Sequence, residues 1–234
     1  MNETPRLDIA ALGSATLCES FQITAAQRPE RVALRTLGGA TEITYAEFRA
    51  QVRALAEGLH SLGVGRGDTV ALMLANRPEF SLADTAVMHL GATAFSVYNT
   101  SSAEQAQHVF RNAGNRVVFT ERQFLPRVLE SRTTEIEHIV LVDGAEAGTI
   151  TLPDLARRSV PGFNFDSAWR AVQPDDVVTL IYTSGTTGPS KAVQLTHGGV
   201  LFQTRGVAAI LGLQADGRSI SYLPSAHVGD RCLT

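Results

Sequence analysis

A chain of 234 residues that is 44% hydrophobic and 18% charged can bury a sizeable core as one large domain or two small ones, which excludes disorder as its main state. Its 20 Lys and Arg residues against 23 Asp and Glu leave a net charge of -3, so there is no basic footprint for nucleic acid and no polybasic patch for anionic lipid. Two cysteines, Cys18 and Cys232, make no disulfide framework, and no segment approaches the roughly 20 apolar residues of a membrane-spanning helix; a protein of the reducing cytoplasm is expected.

Helix signals become clear at Thr44. Thr44 and Glu47 have capping-box spacing, and Phe48, Val52, Leu55, Leu59 and Leu62 recur at helical intervals up to a stop at Gly63. TVALML, residues 69–74, scarcely alternates and predicts a strand buried on both faces. Pro78 suits the first turn of a helix that carries Phe80, Leu82, Ala86, Val87 and Leu90 to Gly91. A second strand is expected over 94–98, and Ser102 and Gln105 open another helix with capping-box spacing. Strands over 116–120 and 138–143 flank a helix expected over 122–130. This alternation predicts an α/β layered fold, a mainly parallel sheet flanked by helices, over 44–143.

From 144 to 174 the pattern weakens, with Pro153, Pro161 and Gly162 favouring a short helix and irregular chain. The stretch reads equally as a boundary between 1–160 and 161–234 or as a loop packed on one domain over 1–234.

The apolar run VVTLI, residues 177–181, leads directly into YTSGTTGPSK. Gly185 and Gly188 let backbone N–H groups converge on an anion, and Thr183, Ser184, Thr186 and Thr187 add hydroxyl donors. Lys191 adds a mobile point charge suited to phosphate. The spacing differs from the standard P-loop, which has four residues between its glycines and a Gly-Lys-Ser/Thr ending. A polar hairpin with turn-forming glycines is the competing structural reading. A helix is expected from near Thr196 through Leu211.

YTSGTTGPSK resembles the signature loop of the adenylate-forming, AMP-binding superfamily. The resemblance extends to TYAEFRAQVRALAEGLHSLGVGRGDTVALMLANRPEF, residues 44–80, and its long-chain fatty acyl-CoA synthetase branch is further suggested by GATAFSVYNTSSAEQ, residues 91–105, and YLPSAHVGDR, residues 222–231. It implies the amino-terminal part of the adenylate-forming fold and a two-step reaction. A fatty acid carboxylate attacks the α-phosphorus of Mg-ATP to give acyl-adenylate and pyrophosphate, and the thiol of CoA then displaces AMP. By position, Thr183, Ser184, Gly185, Thr186, Thr187, Gly188 and Lys191 would hold the β- and γ-phosphates, with Thr183 also a contact for Mg2+.

His227 falls where the family lines its carboxylate and adenylate pocket; a satisfied structural histidine is the equal alternative. Ser190 and Ala192 stand where the family usually has proline and glycine. Gly67-Asp68 superficially matches a ribose-gripping pair but sits in an early turn, which favours a structural role. The family's further parts, a Tyr-Gly-x-Thr-Glu stretch, a ribose-binding aspartate and a carboxyl-terminal lysine, are not in this sequence. The expectation is therefore an amino-terminal portion that binds ATP weakly, turns over little fatty acid alone and has a separately encoded carboxyl-terminal portion as a candidate partner. Two alternatives stay open: a non-catalytic nucleotide-binding or interaction remnant, and an adenylating enzyme whose acceptor is a carrier protein.

Overall fold

The computed structural model describes residues 10–183, 189–211 and 217–227. Helix α1 (Leu17–Gln27) precedes an antiparallel hairpin of β1 (Val32–Arg35) and β2 (Glu42–Thr44). There follow α2 (Tyr45–Ser61), β3 (Thr69–Met73), α3 (Pro78–Met88), β4 (Thr93–Ser96), α4 (Ala103–Ala113), β5 (Val117–Thr120), α5 (Leu125–Glu130) and β6 (His138–Leu141). The weakly patterned stretch forms β7 (Ile150–Thr151), α6 (Leu152–Ala156) and α7 (Phe165–Arg170), and β8 (Val177–Thr183), β9 (Lys191–Thr196) and α8 (His197–Leu211) complete the described order.

The main sheet has the order β7-β6-β5-β3-β4-β8-β9, parallel throughout except that β9 runs antiparallel to β8. Strand β8 pairs with β4, so the sheet is continuous across residue 160. The predicted layering is what forms. Val70, Leu72 and Leu74 pack on one side with α2 and α3, whereas Ala71 and Met73 pack on the other with α4 and α5. Consecutive side chains of a strand point to opposite faces, so an unbroken apolar run is what a sheet covered on both sides requires.

Both capping boxes close. The Thr44 hydroxyl accepts the Glu47 N–H while the Glu47 carboxylate accepts the Thr44 N–H, and Ser102 and Gln105 repeat the arrangement at α4. Gly63 ends the first of these helices at φ 81°, a left-handed conformation that side chains disfavour. The helix expected from residue 122 starts at Leu125 instead, after a turn in which the Arg122 N–H donates to Asp143 Oδ1 at 2.7 Å. Strand β9 takes up residues that were expected to lead straight from the glycine-rich stretch into α8.

A buried polar contact joins α1 to α3 and α8. Gln22 Nε2 donates to His89 Nε2 at 3.1 Å, and His89 Nδ1 donates to the Thr85 carbonyl at 2.7 Å, which sets the neutral tautomer. His197 Nδ1 accepts the Leu17 N–H at 3.3 Å. Both imidazoles are fully buried, and burial pushes each pKa down to about 4. For His89 the nearby His197 and Arg49 act in the same direction, while Asp176 partly opposes the shift of His197.

Two outcomes follow from this packing. The folded chain keeps both rings neutral to about pH 4, whereas the ordinary value is 6.5, so protons favour the unfolded state across that window. Urea midpoints are expected to fall from about pH 7 to about pH 5, each histidine contributing up to about 1.4 kcal/mol per pH unit, and His89→Gln should flatten the slope. A slope unchanged by that substitution would contradict the assignment.

Gly58 of α2 lies against α6, where an added Cβ would stand 2.1 Å from the Leu155 carbonyl oxygen. Alanine is the better helix former by about 1 kcal/mol, yet Gly58→Ala is expected to lower stability by about 1–3 kcal/mol because α6 backbone must move. A denaturant midpoint at or above wild type would count against this close approach.

Candidate functional site

The glycine-rich stretch is the connection of the β8–β9 hairpin. Ser184, Gly185, Thr186, Thr187 and Gly188 lie outside the described residues, so the phosphate reading at those positions rests on sequence. The flanks are described. Thr183 closes β8 and Lys191 opens β9, and the two are register partners, both exposed. The hairpin therefore gathers the first and last of the sequence-predicted phosphate residues at the carboxyl end of β8.

Two side chains one turn apart on α4 hold this hairpin. Tyr182 Oη donates to Asn112 Oδ1 at 2.9 Å, and His108 Nε2 donates to the Ser190 carbonyl at 2.9 Å. Residues four apart share a helix face, so one surface of α4 fixes both the departing and the returning strand. Burial raises the Tyr182 pKa to about 12, keeping the phenol a donor. The sequence signal for this pair is the four-residue spacing of His108 and Asn112. Because Ser190 is held through its backbone, replacement of the usual proline leaves this contact intact.

Beside the hairpin runs a groove of about 780 Å³. Lys191 and Ser190 line one end, Leu180 and Ala192 the floor, and Arg66 and Asp176 the other end, where β8 begins. Arg66 Nη2 and Asp176 Oδ1 are 2.7 Å apart. Burial works against the Asp176 carboxylate, but the Gln173 N–H and Arg66 outweigh it and hold its pKa below the usual carboxylate range. Asp68 accepts the Gly65 N–H at 2.8 Å, the turn-fixing role favoured for the Gly67-Asp68 pair.

His227 is exposed, and its N–H donates to the Pro224 carbonyl at 2.7 Å in a tight turn. That turn docks on Asn76, directly beyond β3. Since β4 alone separates β3 from β8, His227's turn and the hairpin occupy the same carboxyl edge about 10 Å apart in strand spacing. Such edges are where open parallel sheets admit ligands.

Among the described residues, no group of three or more His, Cys, Asp or Glu could hold a metal ion, and no helix is long and apolar enough to cross a membrane.

Comparison with known proteins gives a consistent result. Residues 21–234 match the family of AMP-binding enzymes. Over 130 residues, 56% of this chain and 74% of the other, the sequence is 56% identical to the uncharacterized protein Rv1549 of Mycobacterium tuberculosis. It is 33% identical over 199 residues to the long-chain-fatty-acid–CoA ligase FadD15 of Mycobacterium bovis, which covers 83% of this chain and 33% of that ligase. The chain thus spans about a third of the length of this relative. The fold superposes on the inhibitor-bound N-terminal domain of FACL13 from Mycobacterium tuberculosis with a TM-score of 0.77 at 23% identity, covering 94% of this chain and 54% of the other. The chain belongs to the AMP-binding enzyme family and corresponds to the amino-terminal portion of its fatty-acid–CoA ligases.

Proposed function

We propose that this chain carries the ATP-polyphosphate site of a cytoplasmic fatty acid–CoA ligase, within an amino-terminal part of the AMP-binding domain that spans 1–234. Thr183, Ser184, Gly185, Thr186, Thr187, Gly188 and Lys191 hold the β- and γ-phosphates of Mg-ATP, and the Thr183 hydroxyl is the chain's contact to the Mg2+ that arrives with the nucleotide. The reading is carried by the pairing of Thr183 with Lys191 at the hairpin neck, with Lys191 opening on the groove.

These groups are not nucleophiles. Their contribution is electrostatic: backbone N–H groups, hydroxyls and an ammonium fix the pyrophosphate leaving group while the substrate carboxylate attacks the α-phosphorus. His227, on the same sheet edge, faces the carboxylate and adenylate side. CoA enters in the second half-reaction, when its thiol displaces AMP.

Titration calorimetry of Mg-ATP against wild type and Lys191→Ala tests the assignment. The substitution is expected to weaken binding by about tenfold or more, the scale of a lost charge-assisted contact. Identical isotherms would remove the phosphate role.

A second reading, nucleotide binding without turnover, is favoured by exposed apolar side chains. Phe202 and Ile210 of α8 are 76% and 84% exposed, and Ile220 and Tyr222 are exposed beyond it. Exchange of labelled pyrophosphate into ATP with a fatty acid present separates the two. The second reading expects exchange near background from this chain alone, whereas exchange at the rate of a complete ligase would exclude it.

A further inference from the structure

The connections leaving β3 and β5 turn to opposite faces of the sheet, and the crevice between their carboxyl ends is occupied by a built network. Glu121, only 4% exposed, accepts the Ala75 N–H at 2.5 Å and the Gln123 side-chain amide at 2.8 Å, and its carboxylate lies 3.2 Å from Arg77 Nη1. Arg77 also pairs with Glu79 at 2.8 Å. On the β4 side, Asn99 Nδ2 donates to the Leu74 carbonyl at 3.2 Å. The residues on either side of Asn76 are thereby tied to the exits of both neighbouring strands.

Asn76 itself takes no part in that network, and its side chain reaches across the edge. Nδ2 donates to the Leu223 carbonyl at 2.6 Å and to Ser221 Oγ at 2.7 Å, while Oδ1 accepts the Ser225 hydroxyl at 3.1 Å. A primary amide has two N–H donors and one carbonyl, and all three groups are engaged here. The Leu223 carbonyl can only accept, which fixes the amide's orientation. Within the described 217–227 segment, burial is confined to Ser225 and Ala226, the residues immediately before His227.

We propose that Asn76 is a positioning residue that sets the location of the turn carrying His227, and hence the placement of the acyl-adenylate's carboxyl-derived end against the phosphate hairpin. The proposal rests on the functional reading above and adds the residue that acts through His227. The side chain does not touch the reacting atoms. The backbone leading into it, at Leu74 and Ala75, is prearranged by Asn99 and Glu121, so little ordering remains when a ligand arrives.

The test uses the full chain and two ligands, Mg-ATP and a non-hydrolysable fatty acyl sulfamoyl adenosine. Asn76→Ala is expected to leave Mg-ATP affinity unchanged, to weaken the acyl analogue about tenfold, and to speed amide hydrogen exchange at Ser225–His227 about tenfold or more. Asn76→Asp, which keeps an acceptor for Ser225 but sets a charge against the Leu223 carbonyl, should behave the same way. If Asn76 acts through His227, Asn76→Ala combined with His227→Ala should bind the analogue no worse than the weaker single variant.

Unchanged exchange in Asn76→Ala would overturn the anchor. Faster exchange with unchanged analogue affinity, or with additive losses in the double variant, would overturn the positioning role. A wild-type chain that binds neither ligand would overturn both the nucleotide reading and that role, and exchange in the ligand-free protein would still decide whether Asn76 holds the turn.

Discussion

The carboxyl edge between β3 and β5 depends on a carboxylate that is almost out of water. Burying Glu121 as an anion is unfavourable unless its oxygens find donors, and here the Ala75 N–H, the Gln123 amide and the Arg77 guanidinium supply them. The three donors come from different places: the loop after β3, the turn beside Glu121, and the start of α3. Satisfying one charge therefore fixes the geometry of two strand exits. Such a pair is weak evidence for extra stability, since a well-packed apolar substitute often does as well. What it supplies is a defined crevice at the carboxyl edge of the sheet, where an apolar plug would leave the β3 loop free to choose its path.

How much of this was legible in the sequence varied with how local the signal was. Helices α2 and α4 were readable because each carries its own start, Thr44 with Glu47 and Ser102 with Gln105, together with an apolar face. Strand β3 was readable because burial on both faces removes alternation. Helix α1 was not: its buried positions are Cys18, Gln22 and Ala25, so the residue in the middle of its inward seam is polar. Gln22 is tolerated there because His89 accepts from it, a partner 67 residues away that no local window can contain. Strand β9 was missed for another reason. Val193 is 47% exposed and Gln194 is exposed, so its strand character comes from hydrogen bonding to β8 and not from a hydrophobic pattern.

The candidate site divides in the same way. Thr183 and Lys191 stood out because hydroxyls, glycines and a lysine are clustered within one short stretch. The groups that position this stretch did not, because their relations are long-range: His108 with Ser190, Asn112 with Tyr182, and Asn76 with Leu223. Each of these is an ordinary polar residue in its local context. Only the topology, which returns β8 to lie beside β4 and next to α4, gives them partners.

The hairpin and the His227 turn are also constrained differently. The base of the hairpin runs into α8, whose first residue, His197, is buried and accepts a hydrogen bond from the amino end of α1; its returning strand is held near the tip by His108. The turn at His227 is met by the Asn76 side chain, which reaches from the opposite side of β4. Backbone pairing sets strand spacing at about 4.8 Å, so the distance between β3 and β8 is a property of the sheet and insensitive to side-chain substitution. On the proposed reading, changes at Lys191 or His108 alter how strongly the phosphates are held, and changes at Asn76 how well the acyl end is met. Neither alters the separation of β3 and β8, and this is why the two groups of residues can be probed independently.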